Sequence, residues 1–304
     1  MLLAALAAPA AAQAAPAPAN VGLDVGHLRG GKAEILSKVP IKGTITPFVA
    51  GQTVDVLFFR NGHQVGSEKV DVHNGSGQSG SFQTDFTVRR DGRFSVQAIH
   101  EATAEQAGGA SKRQKFGVRF PSIGPGKCGR VVEALKKNLR HMGYVPSGGS
   151  CFRDKDSRAV LAYRKVNGNS HNGHAGAGIV RQIFSGHGAY HLKYPHAGKH
   201  VEVSIERQVL VIADGDRPVQ TYGVSTGKPS TPTVRGHFQF YTRQPGFNSE
   251  GMYYSTYFHG GYAVHGYASV PPNYPASHGC VRLPIPDAHH VFDSISLGED
   301  IFIY

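Results

Sequence analysis

Apolar residues in this chain change their period twice, and that constrains the fold more than any other feature of the sequence. They alternate in Val39, Ile41 and Ile45, in Val54, Val56 and Phe58, in Phe94, Val96 and Ala98, and in Phe116, Val118 and Phe120. From Val132 to Met142 they recur at three and four residues, and from Val201 onward the alternation returns. Period two puts every second side chain on one face of a strand, whereas spacings of three and four draw a stripe along a helix, so one element cannot satisfy both. The chain is therefore expected to be multidomain and mainly β, with a small helical part between two strand-built parts. Its 304 residues suit two or three domains. With 40% hydrophobic residues, and 39 glycines that follow no period of three, it is neither a disordered nor a collagen-like chain. No stretch after the N-terminus holds the roughly 18 unbroken apolar residues of a spanning helix, so a membrane transporter is excluded and no stable transmembrane anchor is expected.

Met1 to Ala19 reads MLLAALAAPAAAQAAPAPA, an apolar run followed by small residues, with Ala12-Gln13-Ala14 in the small-x-small pattern of a signal-peptidase site. The positively charged start of such signals is missing. Residues 1–20 are expected to be a signal peptide rather than a low-complexity Ala/Pro tail, which places the rest of the chain in an oxidising compartment. Residues 21–120 read as a small antiparallel β-sandwich of the immunoglobulin-like kind, with turn signals at Asn61-Gly62 and Asp91-Gly92. Nothing in them resembles a catalytic constellation.

Pro121 to Gly126 is a Pro/Gly linker, and the period changes after it. Val132, Leu135, Leu139 and Met142 form one helical stripe, with Arg130, Lys136, Lys137 and Arg140 largely outside it. A second short helix is expected around Ala159, Ala162, Tyr163 and Val166, capped by Asp156 or Ser157. Between them lie Gly143-Tyr144 and a glycine-containing loop with Cys151 and Phe152. This arrangement resembles the three-helix peptidoglycan-binding domain, with Ala159-Val160-Leu161-Ala162-Tyr163-Arg164 standing where that family has Ala-Val-x-x-Phe-Gln, over residues 122–180. Cys128 and Cys151 bracket the first helix, and in an exported protein they are expected to form a disulfide closing 22 intervening residues, worth ~3 kcal/mol in the chain-entropy model. No CxxC or zinc-spaced histidine pair accompanies them. His171, His174, His187, His191, His196 and His200 are irregularly spaced, without a carboxylate or thiolate among them, so this stretch reads as a connector, with the linker at 181–197, and no metal is expected.

In residues 198–304, strand runs at Val201 to Ile205, Val209 to Val211, His237 to Tyr241, Tyr262 to His265 and Asp300 to Tyr304, with a short helix from Pro286 to Ser294, describe a mostly-β domain. Its distinguishing segment is Ser277-His278-Gly279-Cys280-Val281-Arg282-Leu283. A thiol is a good nucleophile only as thiolate, so a catalytic cysteine needs a base or a positive charge beside it. Cys280 is the cysteine without an expected partner, and His278 and Arg282 flank it. A tight turn at Gly279 lets consecutive N–H groups converge beside the sulfur, as in an oxyanion hole. His265 lies fifteen positions upstream at the end of Tyr262-Ala263-Val264, and two adjoining strand ends bring its imidazole to the thiol.

These residues resemble the signature of the L,D-transpeptidase catalytic domain (YkuD-like), in which His-Gly is followed after about a dozen residues by Ser-His-Gly-Cys-[Val/Ile]-Arg-[Leu/Met]. The likeness continues through Val224-Ser225-Thr226-Gly227-Lys228, Thr231-Pro232-Thr233, Gly236 and Phe238, and Met252-Tyr253-Tyr254 to Phe258, Gly260 and Gly261. Val234-Arg235 lengthens one loop relative to it. The resemblance implies an exported enzyme in which Cys280 attacks the carbonyl joining a diamino residue to the terminal D-alanine of a tetrapeptide stem. D-Ala leaves, and the amine of a second stem resolves the thioester into a 3→3 cross-link. It further implies that His265 is the general acid/base, oriented by the carbonyl of Gly266, and that Gly279 and Cys280 offer oxyanion N–H groups. His278 and Arg282 would stabilise the thiolate, the oxyanion or a substrate carboxylate. Ser277 is expected to bond within the turn or touch substrate, and Tyr253 and Tyr254 to line the cleft or pack beside the strand. A cysteine and a histidine suffice for this chemistry, so no cofactor is expected.

Two other readings use the same residues: an L,D-carboxypeptidase or endopeptidase that resolves the thioester with water, and a wall-binding protein with an idle catalytic domain. The net charge of +11 suits an anionic wall, with stem peptides as partners at the cell wall, periplasm or outside the cell. Basic residues read as spread along the chain and export leads away from nucleic acid, so a nucleic-acid partner is not expected.

Overall fold

The computed structural model describes residues 16–304. The expected cleavage pattern Ala12-Gln13-Ala14 lies outside the described residues. The described residues up to Arg119 form one compact unit and Phe120–Tyr304 a second. Among the described residues no helix is long and apolar enough to cross a membrane.

The first unit is all β. Its strands are β1 (Asn20–Val25), β2 (Lys32–Glu34), β3 (Lys38–Thr46), β4 (Thr53–Arg60), β5 (His63–Asp71), β6 (His73–Asn74), β7 (Gly80–Thr87), β8 (Phe94–His100), β9 (Gly109–Ala110) and β10 (Gln114–Arg119). One sheet runs β1-β3-β7-β6, and the other β2-β10-β8-β4-β5 with β9 on β8. The alternation read from the sequence forms its core: Val39, Ile41 and Ile45 of β3 are buried, as are Val54, Val56 and Phe58 of β4 and Phe94, Val96 and Ala98 of β8. Phe58 stacks on Phe86 of the other sheet with ring centroids 4.6 Å apart. Asn61 and Gly62 both take positive φ, 52° and 90°, as the two-residue turn of the β4–β5 hairpin requires.

Three features depart from expectation. The sandwich is not wholly antiparallel, because β2 pairs with β10 in parallel. Phe120, expected to end the sandwich alternation, belongs to the second unit and packs edge-on against Phe184 at 5.7 Å. Residues 17–19, inside the segment read as a signal, are held by Ala107 N–H on Ala17 O and Ala19 N–H on Ala107 O.

The second unit begins with α1 (Arg130–His141), α2 (Asp154–Val166) and α3 (Ala177–Phe184). The stripe on α1 is buried as expected, but Lys136 is buried with it. Its ammonium meets Asp156 at 2.9 Å, both side chains wholly inaccessible. Asp156 is not the cap of α2: the helix starts at Asp154, and Asp156 accepts the Arg153 N–H at 2.7 Å from inside the first turn. Cys128 and Cys151 are joined by a disulfide. The third helix crosses position 180, where the helical segment was expected to end.

Nine strands follow: β11 (Lys199–Ser204), β12 (Val209–Asp214), β13 (Arg217–Gly223), β14 (Gly236–Gln239), β15 (Thr242–Phe247), β16 (Tyr253–His259), β17 (Tyr262–Tyr267), β18 (Val281–Pro284) and β19 (Asp300–Ile303), with α4 (Ile285–Ser294) between the last two. They form one sheet in the order β13-β12-β11-β19-β14 and another in the order β15-β16-β17-β18. The core between them is built by Val201, Val203, Leu210, Ile212, Phe240, Phe258, Val264, Val281, Leu283, Val291 and Ile301. Helix α2 packs on β13 and β12, so β12 is buried on both faces. Arg158 of α2 forks onto Asp287 of α4 at 2.7 and 2.9 Å. Lys165, buried and pulled down to about 8 by desolvation, donates to Val224 O at 2.9 Å and Gln208 O at 3.2 Å. The helices thus grip the segment leading into Ser225-Thr226-Gly227-Lys228.

Candidate active site

Strands β17 and β18 run parallel with Val264 opposite Val281 and His265 opposite Arg282. Positions in register share a face, and so do positions two apart along a strand. His265, Arg282 and Cys280, which immediately precedes β18, therefore project from one face. Val264, Val281 and Leu283 project from the other, into the core. Period two thus places the chemistry opposite the apolar anchor.

His265 is 2% exposed, and its Nδ1 lies 2.9 Å from Gly266 O. A carbonyl only accepts, so Nδ1 carries the proton and Nε2 keeps its lone pair. Desolvation pulls its pKa from 6.5 down to about 4, the Gly266 bond opposing this and Arg282 adding to it. The ring is neutral at pH 7 and its free nitrogen is a base. Gly266 has no space for a side chain, since a Cβ there meets the Ala288 Cβ at 2.6 Å.

The depressed pKa carries a stability signature. Between 6.5 and about 4 the unfolded chain binds a proton on this histidine and the folded chain does not, so the contribution is complete above 6.5 and is lost as pH falls through about 4. The loss amounts to about 3 kcal/mol. A His265→Gln variant should lack this component of acid destabilisation in unfolding curves taken from pH 7 to pH 4; equal acid sensitivity of the two proteins would refute it.

Cys280 is the free cysteine. Its Sγ lies 3.8 Å from Gly261 O, a contact the S–H makes as donor. Burial pushes the thiol up, against the lowering effects of the Ala263 backbone and Arg282, with Glu250 adding to the rise. The expected net lowering by charged neighbours is therefore not what this geometry gives: desolvation outweighs them, and the resting pair is thiol and neutral imidazole.

The turn before the nucleophile is fixed from within. Ser277 is fully buried; its hydroxyl donates to Cys280 O at 2.6 Å and accepts the Gly279 N–H at 3.0 Å. Of the two alternatives for Ser277 the structure has the bond within the turn; what changes is the Gly279 amide, expected in an oxyanion hole and here already bonded to the Ser277 hydroxyl. Gly279 sits at φ 121° with Tyr262 Cε1 1.8 Å from where a Cβ would be, so only glycine fits.

Arg282 donates from Nη1 to Ala276 O at 3.2 Å, and its guanidinium carbon lies 3.9 Å above the Tyr267 ring. His278 is exposed, and its Nε2 is 3.0 Å from Lys228 Nζ. An ammonium only donates, so in this contact His278 accepts through Nε2.

Tyr253 and Tyr254 are not brought to this face. Tyr253 pairs with Gly266 on the side of α4 and packs against Phe247, with centroids 4.5 Å apart. Tyr254, at φ 50° in a bulge of β16, packs against His289 and Phe292 of α4. They pack beside the strand and do not line the cleft. Sequence reasoning gave no role to Lys228, Tyr262 or Tyr267. Tyr267 was accessible to it, being two residues beyond His265 and so on the same face. Among the described residues no group of three His, Cys, Asp or Glu is placed to hold a metal ion. Of the connector histidines, His200 is buried against Gly198 O and Glu202, and His171 meets the Pro272 backbone.

Residues 198–303 match the family model of the YkuD L,D-transpeptidase catalytic domain. A search of curated proteins returns no match. Among solved structures, the L,D-transpeptidase (residues 123–326) of Xylanimonas cellulosilytica DSM 15894 is 29% identical with a TM-score of 0.55, over 60% of this chain and 98% of that one. An L,D-transpeptidase (Yku) from Stackebrandtia nassauensis is 20% identical with a TM-score of 0.37, over 60% and 94%. An L,D-transpeptidase from Mycobacterium smegmatis is 12% identical with a TM-score of 0.32, over 94% and 99%. At those scores the last two add nothing to the assignment. The sequence signature, the His265–Cys280 face of β17 and β18 and the match over 198–303 assign this part of the chain to the YkuD family of L,D-transpeptidase catalytic domains.

Proposed function

We propose that this protein is an exported L,D-transpeptidase that forms 3→3 cross-links in peptidoglycan through a Cys280 thioester. The observation that carries the reading is the neutral His265, its Nδ1–H held by Gly266 O, on the same face as Cys280. His265 Nε2 takes the thiol proton as sulfur attacks the carbonyl before the terminal D-alanine. The oxyanion receives the Cys280 N–H, since the Gly279 amide is bonded to Ser277. Collapse breaks the C–N bond, and the imidazolium returns its proton to the departing amine. The side-chain amine of a second stem then attacks the thioester, His265 takes the amine proton, and the thiol is restored as the amide forms. The buried, uncharged resting pair suits this order, because charge appears only when the substrate is in place.

The 122–180 segment supports residence at an anionic wall. It holds ten Lys and Arg against three Asp and Glu, whereas 198–304 holds seven against nine. The net charge is therefore highest in this segment, +7 of the chain's +11. Lys127, Arg130, Lys137, Arg140 and Arg153 are exposed. We assign this segment the role of holding the enzyme at the wall.

Incubation with a disaccharide-tetrapeptide and mass analysis of the products tests the reaction. Free D-Ala together with a dimer lighter than two donors by one D-Ala is the expected result. D-Ala without dimer would replace transpeptidation by hydrolysis of the same thioester.

A further inference from the structure

The site contains two cations, and among the described residues neither is paired with a carboxylate. Arg282 is pinned between Ala276 O and the Tyr267 ring. Lys228 is held differently. Its backbone N–H donates to Ser277 O at 3.0 Å, and Gly227 bridges Ser277 in parallel. The loop beyond is closed by Thr231 N–H on Lys228 O at 2.9 Å, by Thr231 Oγ1 on Ser277 O at 3.2 Å and by Gly227 N–H on Thr233 Oγ1 at 2.8 Å. A Cβ at Gly227 would lie 2.3 Å from Thr231 O, so the loop has one compact form. This rigid base aims the ammonium at His278 Nε2, 3.0 Å away and two residues before the nucleophile.

The pairing with His278 uses one of three ammonium protons and leaves the charge unneutralised. Among the described residues no carboxylate pairs with Lys228. A cation held against the turn that precedes the nucleophile, with an imidazole and not an acid as its side-chain partner, is arranged to receive an anion from outside. The acyl donor provides one: the carboxylate of its leaving residue is separated from the scissile carbonyl carbon only by the peptide nitrogen and one α-carbon.

We propose that Lys228 is a specificity residue that binds the carboxylate of the leaving residue of the acyl donor, with His278 holding its ammonium in position. This rests on the acyl-transfer reading above. It implies that the contact acts on the donor alone, because the carboxylate departs with the leaving group and the thioester is resolved without it.

Binding and turnover test it separately. In a Cys280→Ala background, the tetrapeptide with a free C-terminal carboxylate should bind at least tenfold more tightly than the same peptide with a C-terminal carboxamide, and Lys228→Met should abolish that difference. Lys228→Arg should keep most of it. With Cys280 intact, Lys228→Met should raise KM for the acid peptide at least tenfold and leave alkylation of Cys280 by iodoacetamide unchanged. Acid and amide peptides binding alike in the Lys228 protein, or a loss in Lys228→Met that is equal for both, would overturn the assignment. If binding follows expectation but no D-Ala is released by the protein with Cys280, the subsite stands and the transpeptidase reading fails.

Discussion

A His265→Gln variant is expected to acylate Cys280 about 100- to 10,000-fold more slowly than the wild type at pH 7, and a Cys280→Ala variant not at all. The size of the effect follows from the resting state. Burial keeps the thiol protonated, its hydrogen is directed at Gly261 O, and Arg282 and the Ala263 backbone only partly oppose that. Little thiolate exists before substrate binds, so attack depends on a base at the moment of reaction. Glutamine retains a donor for Gly266 O but cannot take a proton, so the variant isolates proton transfer from side-chain placement. The pH profile separates the two further. With His265 neutral above about 4, wild-type acylation should be nearly level from about pH 5.5 to 8. In the variant the rate should climb with pH as the thiol ionises unaided. Mass-shift kinetics with a carbapenem on the intact protein give both profiles. A variant within tenfold of wild type at pH 7, or one with the same level profile, would remove His265 from the role of base.

The chemistry of this site was legible because it lies on strands. The sequence placed His265 at the end of the apolar run Tyr262-Ala263-Val264, at a strand end able to adjoin that of Cys280; in the structure Val264 faces the core and His265, the next residue, faces the other way. The motif around Cys280 supplied the partner, and the parallel register of β17 and β18 joins them. What the sequence did not reveal depends on hydrogen bonds made by small groups. Ser277 capturing the Gly279 amide removes one expected oxyanion donor, and no spacing rule foretells which acceptor a turn amide will choose. Tyr253 and Tyr254 were ambiguous because a bulge in β16 sets their direction, and bulges interrupt the period that such readings rely on. In the sandwich, β5 was invisible for a related reason. Its sequence HQVGSEKVD is exposed almost throughout and pairs as an edge strand through its hairpin with β4, so no apolar pattern marks it. Lys136 was placed on the polar face of α1 by residue type alone; its burial depends on Asp156, twenty positions away.

That pair sets the second large effect: Lys136→Met should destabilise the unit formed by Phe120–Tyr304 by about 3–5 kcal/mol. The ammonium of Lys136 meets Asp156 at 2.9 Å, Ser147 Oγ at 2.9 Å and the carbonyls of Gly148, Gly149 and Cys151 at 3.2, 3.3 and 2.5 Å. It is the common partner of a loop that has no apolar core of its own. Methionine fills the volume but leaves three carbonyls and a buried carboxylate facing a thioether. The carboxylate keeps the Ser147 and Arg153 N–H groups and the Ser147 hydroxyl, yet its charge has no counterpart. Adding Asp156→Asn to Lys136→Met removes that charge, so the double variant should lose less than the sum of the two single losses, and the shortfall measures the coupling. Hydrogen exchange at the α1 and α2 amides is the suitable readout, because it follows this unit without interference from the sandwich. A single-variant loss below about 1 kcal/mol would mean that the cage is bridged by water when its cation is gone. Loosening of α2 would also release Lys165 from Val224 O and Arg158 from Asp287, so turnover in Lys136→Met should fall before the unit unfolds. A variant that is destabilised yet fully active up to its melting point would show instead that the segment carrying Lys228 holds its shape without the helices.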